Sequence, residues 1–241
     1  MSKNLRKLFQ VFSTSSRPIV GLMDDMDAQV AEALRNAIVR EKHAAIRSAS
    51  VVLLSGYLES FLRQSAEIFF DEIHGKGVRY KELPKIMHRT HFISGVNNIQ
   101  RSVKDDDEFF SKTILALKNL TDPVSNDLSK LYWNAFANTK GNPGPDVIKD
   151  YLRNFGVSDP FRVLAEKIRI DQNLIDITLN SFISLRNECA HTGTTRNTPT
   201  TSEVRDFVYF LRRLTLGISR ALEGAVANTY AQALTYRATP P

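Results

Sequence analysis

The 241-residue sequence contains a single cysteine, Cys189. One thiol excludes an intrachain disulfide framework and any multi-cysteine zinc or iron–sulfur site. Glycine (11) and proline (9) are sparse, and neither recurs at the short regular spacing that turns impose on a β-sandwich or barrel. The longest apolar stretches are broken by charge well short of the roughly 18 residues that a membrane span requires. The opening MSKNLRKLFQVF carries no long apolar segment and no small-residue cleavage site, so no signal peptide is read and a cytoplasmic location is expected. Walker, dinucleotide-turn and RNA-recognition aromatic motifs are missing as well. His88 and His91 in "HRTH", with His74 upstream, lack the spacing and companion glutamate of a zinc helix and are expected at the surface. Four consecutive carboxylates, Asp105 to Glu108, do not converge on one cation. They are read as a solvated helix start, where the dipole favours negative charge. Neither a metal nor a cofactor is expected.

What is present reads as helix. Hydrophobic residues make up 42% and charged residues 24%, ordinary for a folded globular chain. The length allows one sizeable core, or one domain with an insertion. A net charge of +6 is compatible with a polyanion partner such as RNA or DNA and does not demand one. After the Ser-rich break "STSSRP" (13–18), a segment of more than fifty residues runs to Gly75 and Gly77 without an internal proline. Leu53, Tyr57, Leu58, Phe61, Leu62, Ile68 and Phe69 recur in it at helical intervals, and Ser48–Ser50 is its softest point. The region 78–145 reads as a helical insertion of short pieces, closed by the turn cluster "TKGNPGP" (139–145). Two short helices then flank a break at Gly156–Pro160. Leu174, Ile177, Phe182 and Leu185 mark a further helix, and Thr200 with Glu203 forms a capping box that opens the last long one. The expectation is an all-α chain, one helical domain over 1–241, with long helices at both ends and an irregular middle.

The stretch "SFISLRNECAHTGTT" (181–195) carries the chemistry. Arg186 supplies a guanidinium that pairs with phosphate oxygens and never deprotonates. His191 exchanges a proton near neutral pH. Such groups suffice to cleave RNA without a metal: one activates the ribose 2′-hydroxyl, one stabilises charge on the phosphoryl oxygens, and an acid protonates the leaving 5′-oxygen. On an ideal helix, positions 186 and 191 stand about 140° apart. They share a face only if the helix loosens at Thr192 and Gly193, whereas Asn187 and His191, at i and i+4, do share one. One copy makes a thin site; two copies across a two-fold axis are sufficient. With nineteen arginines and five histidines, such a pair arises about once by chance. Its weight comes from its place between two long helices and from the amide that follows the arginine.

"SLRNECAHTG" resembles the signature of the HEPN superfamily: Arg, four to six residues, His, with a polar residue often directly after the Arg. "ASVVLLSGYLESFLRQ" (49–64) is similar to the N-terminal helix of its RiboL-PSP and MAE-like branch. "DVIKDYLRNFGVSDPF" (146–161) is similar to the segment before the motif, and the tail from Ser202 to the closing helix. The resemblance implies a helical bundle that dimerises around a composite active site. In active members it implies a metal-independent endoribonuclease of toxin–antitoxin or anti-phage systems, working on RNA beside a cognate antitoxin or defence partner. Arg186 and His191 then match the catalytic pair and Asn187 the supporting polar position, while Thr192-Gly193 departs from the His-Gly of many members.

Three further assignments accompany this reading. Glu59, in the apolar "GYLESFL", is either a carboxylate that orients Arg186 or a solvent-facing residue. Arg212, Arg213 and Arg220 on the last helix either contact RNA phosphates or form its charged face. Cys189 is read as core filler rather than a nucleophile. The competing function is a non-catalytic helical module that binds RNA or a partner protein, with Arg186 as a helix-end contact.

Overall fold

The computed structural model describes residues 1–102, 141–192 and 198–238, with positions 128, 136, 137 and 139. All regular structure among these is helical. In chain order it comprises α1 (Lys3–Ser15), α2 (Arg17–Ala28), α3 (Val30–Arg35), α4 (Ala37–Gly75), a 3-10 turn (Tyr80–Glu82) and α5 (Lys85–Ser102). Then follow α6 (Pro145–Asn154), α7 (Pro160–Ile168), α8 (Gln172–Thr192) and α9 (Thr201–Ala238). The acidic run 105–108 lies outside the described residues.

Two long helices organise the bundle. α4 and α9, of 39 and 38 residues, pack on each other and reach almost 60 Å at about 1.5 Å per residue. α1 lies across both, α2 and α7 pack on α9, and α8 packs on α4. Val51, Leu54, Leu58, Phe61, Leu62, Phe69 and Ile73 form the buried stripe of α4, at the three- and four-residue steps of a helix facing a core. Leu53, one of the residues that carry the helical spacing, is 47% exposed, and Leu54 is buried one residue on. By length and composition α4 could cross a membrane, but its buried stripe belongs to the core.

The breaks fall where local chemistry supplies a stop. Ser13–Ser15 stay inside α1, and only Ser16 separates it from α2, which opens with proline in its first turn. The long N-terminal segment breaks at Gln29 and at Asn36, whose side chain accepts from Ile38 N at 3.0 Å. It does not break at Ser48–Ser50: Ser50 Oγ donates back to Ile46 O at 2.8 Å, so the hydroxyl is satisfied within the helix. Gly77, at φ +69°, closes α4 with bonds from its own amide to His74 O and from Val78 N to Ile73 O. Gly156, at φ +83°, does the same for α6. The capping box at α9 forms as expected, with Thr200 N to Glu203 Oε2 at 2.7 Å and Glu203 N to Thr200 Oγ1 at 3.1 Å.

α9 serves as the fastening strip. Arg212 donates to Ser16 Oγ (2.9 Å) and Ser13 O (3.0 Å) at the end of α1. Arg213 donates to Ile168 O and Arg169 O, and Arg220 to Lys167 O at 2.9 Å, at the end of α7. Helix C-termini carry unpaired carbonyls and partial negative charge, so cationic donors satisfy both. These arginines, read either as phosphate contacts or as the helix's charged face, hold the ends of neighbouring helices. At the far end Arg237 donates to Glu82 through Nε (2.8 Å) and Nη2 (2.6 Å), and to Gly77 O. His91 is likewise buried rather than on the surface, its Nδ1 3.2 Å from the Tyr80 hydroxyl.

Two expectations follow. A Cβ on Gly217 would stand 2.6 Å from Ile168 Cγ2 and 3.2 Å from Leu164 Cδ2, so glycine is what lets α7 approach α9. Gly217→Ala gains about 1 kcal/mol of helix propensity but overpacks this crossing, and a net loss of about 1–2 kcal/mol is expected in urea unfolding. Arg237 holds the Glu82 carboxyl below its ordinary range, chiefly by its hydrogen bonds. A lowered folded-state pKa contributes stability above the unfolded glutamate value and loses it as pH falls through the folded one. Wild type is therefore expected to exceed Glu82→Gln in melting temperature at neutral pH, and the gap to close in acid.

Candidate active site

α8 carries the motif, and its faces decide what each residue does. Ile175, Leu179, Phe182 and Cys189 are buried, and Arg186 falls on the same stripe at the spacing 175, 179, 182, 186, 189. Leu174 and Ile177, which share the helical spacing of this segment, are 52% and 64% exposed. The apolar residues of α8 cover two faces, and the bundle takes up only one. The outward stripe runs through positions 174, 177, 181, 184 and 188 to 191, at helical steps of three and four.

Arg186 is thus rooted in the core-facing stripe near its open end and is itself half-buried. Its Nη1 donates to Asn187 Oδ1 at 3.2 Å. Its Nε is enclosed with no acceptor among the described residues, and Asn142 Oδ1, in the turn before α6, is enclosed with no donor. The helix stays regular through Thr192, so the loosening that would swing position 191 towards Arg186 does not occur. Around an ideal helix position 187 stands about 100° from position 186 and about 40° short of position 191. The His191 side chain and residues 193–197 lie outside the described residues.

Neighbouring elements hold this helix end. Cys189 exchanges a hydrogen bond with Ser48 of α4, and Arg47 Nε donates to Pro199 O at 2.5 Å, tying α4 to the segment leading into α9. Glu59 lies eleven residues beyond Ser48, about 16 Å along α4, while Arg186 is only about 4.5 Å along α8 from Cys189. Consistent with that gap, Glu59 is half-buried and shares no hydrogen bond or ion pair with Arg186. The side chain that does bond Arg186 is Asn187. Among the described residues no three His, Cys, Asp or Glu side chains converge as metal ligands.

One feature went unread in the sequence. Arg40, His43 and Arg47, at i, i+3 and i+7 on α4, line a cleft of about 280 Å³ with Val30, Leu34 and Pro199. His43 is buried, its Nε2 3.2 Å from Gln29 Oε1, at the junction of α2 and α3. The spacing of the basic residues was the available signal. It was masked by an apolar periodicity that begins later in the same helix.

Burial pushes the Cys189 thiol above its ordinary pKa, the reverse of what a nucleophile needs. Alkylation by iodoacetamide near neutral pH is expected to be roughly tenfold or more slower in the native protein than in urea, because the thiol reacts only on opening.

A family model described as RiboL-PSP-HEPN matches residues 25–224. No curated protein and no solved structure matches the chain.

Proposed function

The chain belongs to the RiboL-PSP-HEPN family, an RNA-related, nuclease-like group of helical domains, and from that premise we propose that it is a metal-independent endoribonuclease. The observation that carries the proposal is Arg186: a half-buried cation whose Nη1 donates to Asn187 and whose enclosed Nε lacks an acceptor among the described residues. An unpaired buried donor costs about 1–3 kcal/mol, a cost of the kind kept at functional sites, and a half-exposed guanidinium is a natural partner for an anionic phosphoryl oxygen. In this reading His191 takes the proton from the ribose 2′-hydroxyl. The 2′-oxygen attacks phosphorus, the bond to the 5′-oxygen breaks, and a protonated imidazole supplies the proton that the leaving oxygen needs. The products are a 2′,3′-cyclic phosphate and a 5′-hydroxyl. Attack and departure occur on opposite sides of the phosphorus, so two imidazoles serve better than one. The outward stripe of α8, with Leu174 and Ile177 exposed, supports a two-fold pair in which both motifs line one cleft. The same proposal makes the protein a toxin or anti-phage effector restrained by a partner.

Incubation with total RNA in EDTA is expected to yield fragments ending in cyclic phosphate. Arg186→Ala and His191→Ala should each lower the rate by about 10²–10⁴-fold. A dependence on magnesium, cleavage of a strand with 2′-deoxyribose at the scissile position, or full activity in His191→Ala would each sink the proposal.

A further inference from the structure

Beyond the reacting groups, a bound strand needs somewhere to lie. The arginines of α9 nearest the middle of the bundle are committed to helix ends. The basic groups that adjoin the motif are on the first turns of α4. Arg40 is exposed and without a partner among the described residues. Arg47 is fixed through Nε to Pro199 O, which leaves its two terminal nitrogens without an acceptor there. Asp27, the carboxylate on the cleft wall, is already occupied by the Thr201 hydroxyl and by Arg205. Beside the cations lie apolar side chains left in solvent, Val30 at 50% and Leu34 at 75% exposure.

We infer that this cleft holds one nucleotide of the RNA strand, next to the one being cut, with its phosphate on Arg40 and Arg47 and its base against Val30, Leu34 and Pro199. The inference rests on the ribonuclease reading for the nature of the ligand. Three observations carry it. First, the cleft pairs cations with an apolar wall, the two kinds of surface that a nucleotide presents in turn. Second, its volume of about 280 Å³ lies at the lower end of small-molecule sites, fitting one nucleotide rather than a large cofactor. Third, it is continuous with the motif: Ser48, next to Arg47, is bonded to Cys189, two residues before His191. The connection from Thr192 to Thr201 ends on its rim. Arg47 thus has two tasks, bracing Pro199 through one nitrogen and presenting the others to the strand. Arg40 has no structural task among the described residues, which makes it the clean probe.

The test uses the full chain and a fluorescent single-stranded RNA whose 2′-hydroxyls are all methylated, so that it binds without being cut. Arg40→Glu is expected to weaken binding about tenfold and to reduce the salt slope by about one. Leu34→Ser is expected to weaken RNA binding about threefold while leaving affinity for inorganic polyphosphate, which has no base, unchanged. An unaltered affinity and salt slope in Arg40→Glu would overturn the phosphate site. No loss in Leu34→Ser, or an equal loss for RNA and polyphosphate, would overturn the placement of the base. Cleavage abolished by Arg186→Ala alongside undisturbed binding in Arg40→Glu refutes the cleft and leaves the ribonuclease reading standing. Binding through Arg40 by a wild type that cuts no RNA does the reverse.

Discussion

Helix ends that finish against other helices leave carbonyls with no partner in their own chain of bonds, and in this bundle α9 supplies much of what they lack. Arg212 serves the end of α1, Arg213 and Arg220 the end of α7, and Arg237 the end of α4 together with Glu82. One helix therefore sets where three others stop. That is why α7 can lie so close to α9 at Gly217: the contact needs both the missing side chain and the cationic caps on either side. The position of α8 in turn depends on a scaffold of α4 and α9 held in this way.

The same constraint governs how the net charge of +6 is interpreted. A basic composition suggests a polyanion ligand only in so far as its cations are free to meet one. In α9 they largely are not, because a guanidinium engaged with main-chain oxygens already holds the partners it would otherwise seek in phosphate. Arg205 is engaged as well, on Asp24 and Asp27. The cations without partners among the described residues therefore include Arg40 at the start of α4, where the basic residues are spaced out rather than clustered.

Local signals were legible in the sequence and distant ones were not. The stops at Gly77 and Gly156 and the box formed by Thr200 and Glu203 depend on a few consecutive residues, and those residue types act alike wherever they occur. The α2–α3 break at Gln29 has no glycine or proline to announce it; its polar contact comes from His43, fourteen residues away. The caps of Arg212 and Arg220 reach across 199 and 53 residues, beyond any periodicity. Ser48–Ser50 looked weak because serine competes for backbone bonds, yet within a packed helix that competition was satisfied one turn back and by Cys189. Leu174 and Ile177 marked the helix by their spacing but not its buried side: periodicity finds apolar faces, and only tertiary packing selects which of them is covered.

The motif illustrates how little its spacing determines by itself. A regular helix sends positions 186 and 191 to different sides, so the separation of four residues does not bring cation and imidazole together. Asn187 accepts from the Arg186 guanidinium, which gives the polar residue after the arginine a contact within the helix itself. Leu174 and Ile177 leave one apolar stripe of α8 uncovered, whereas Arg186 is rooted on the buried side, so the bundle and the motif's arginine share one face of the helix and the other stays open.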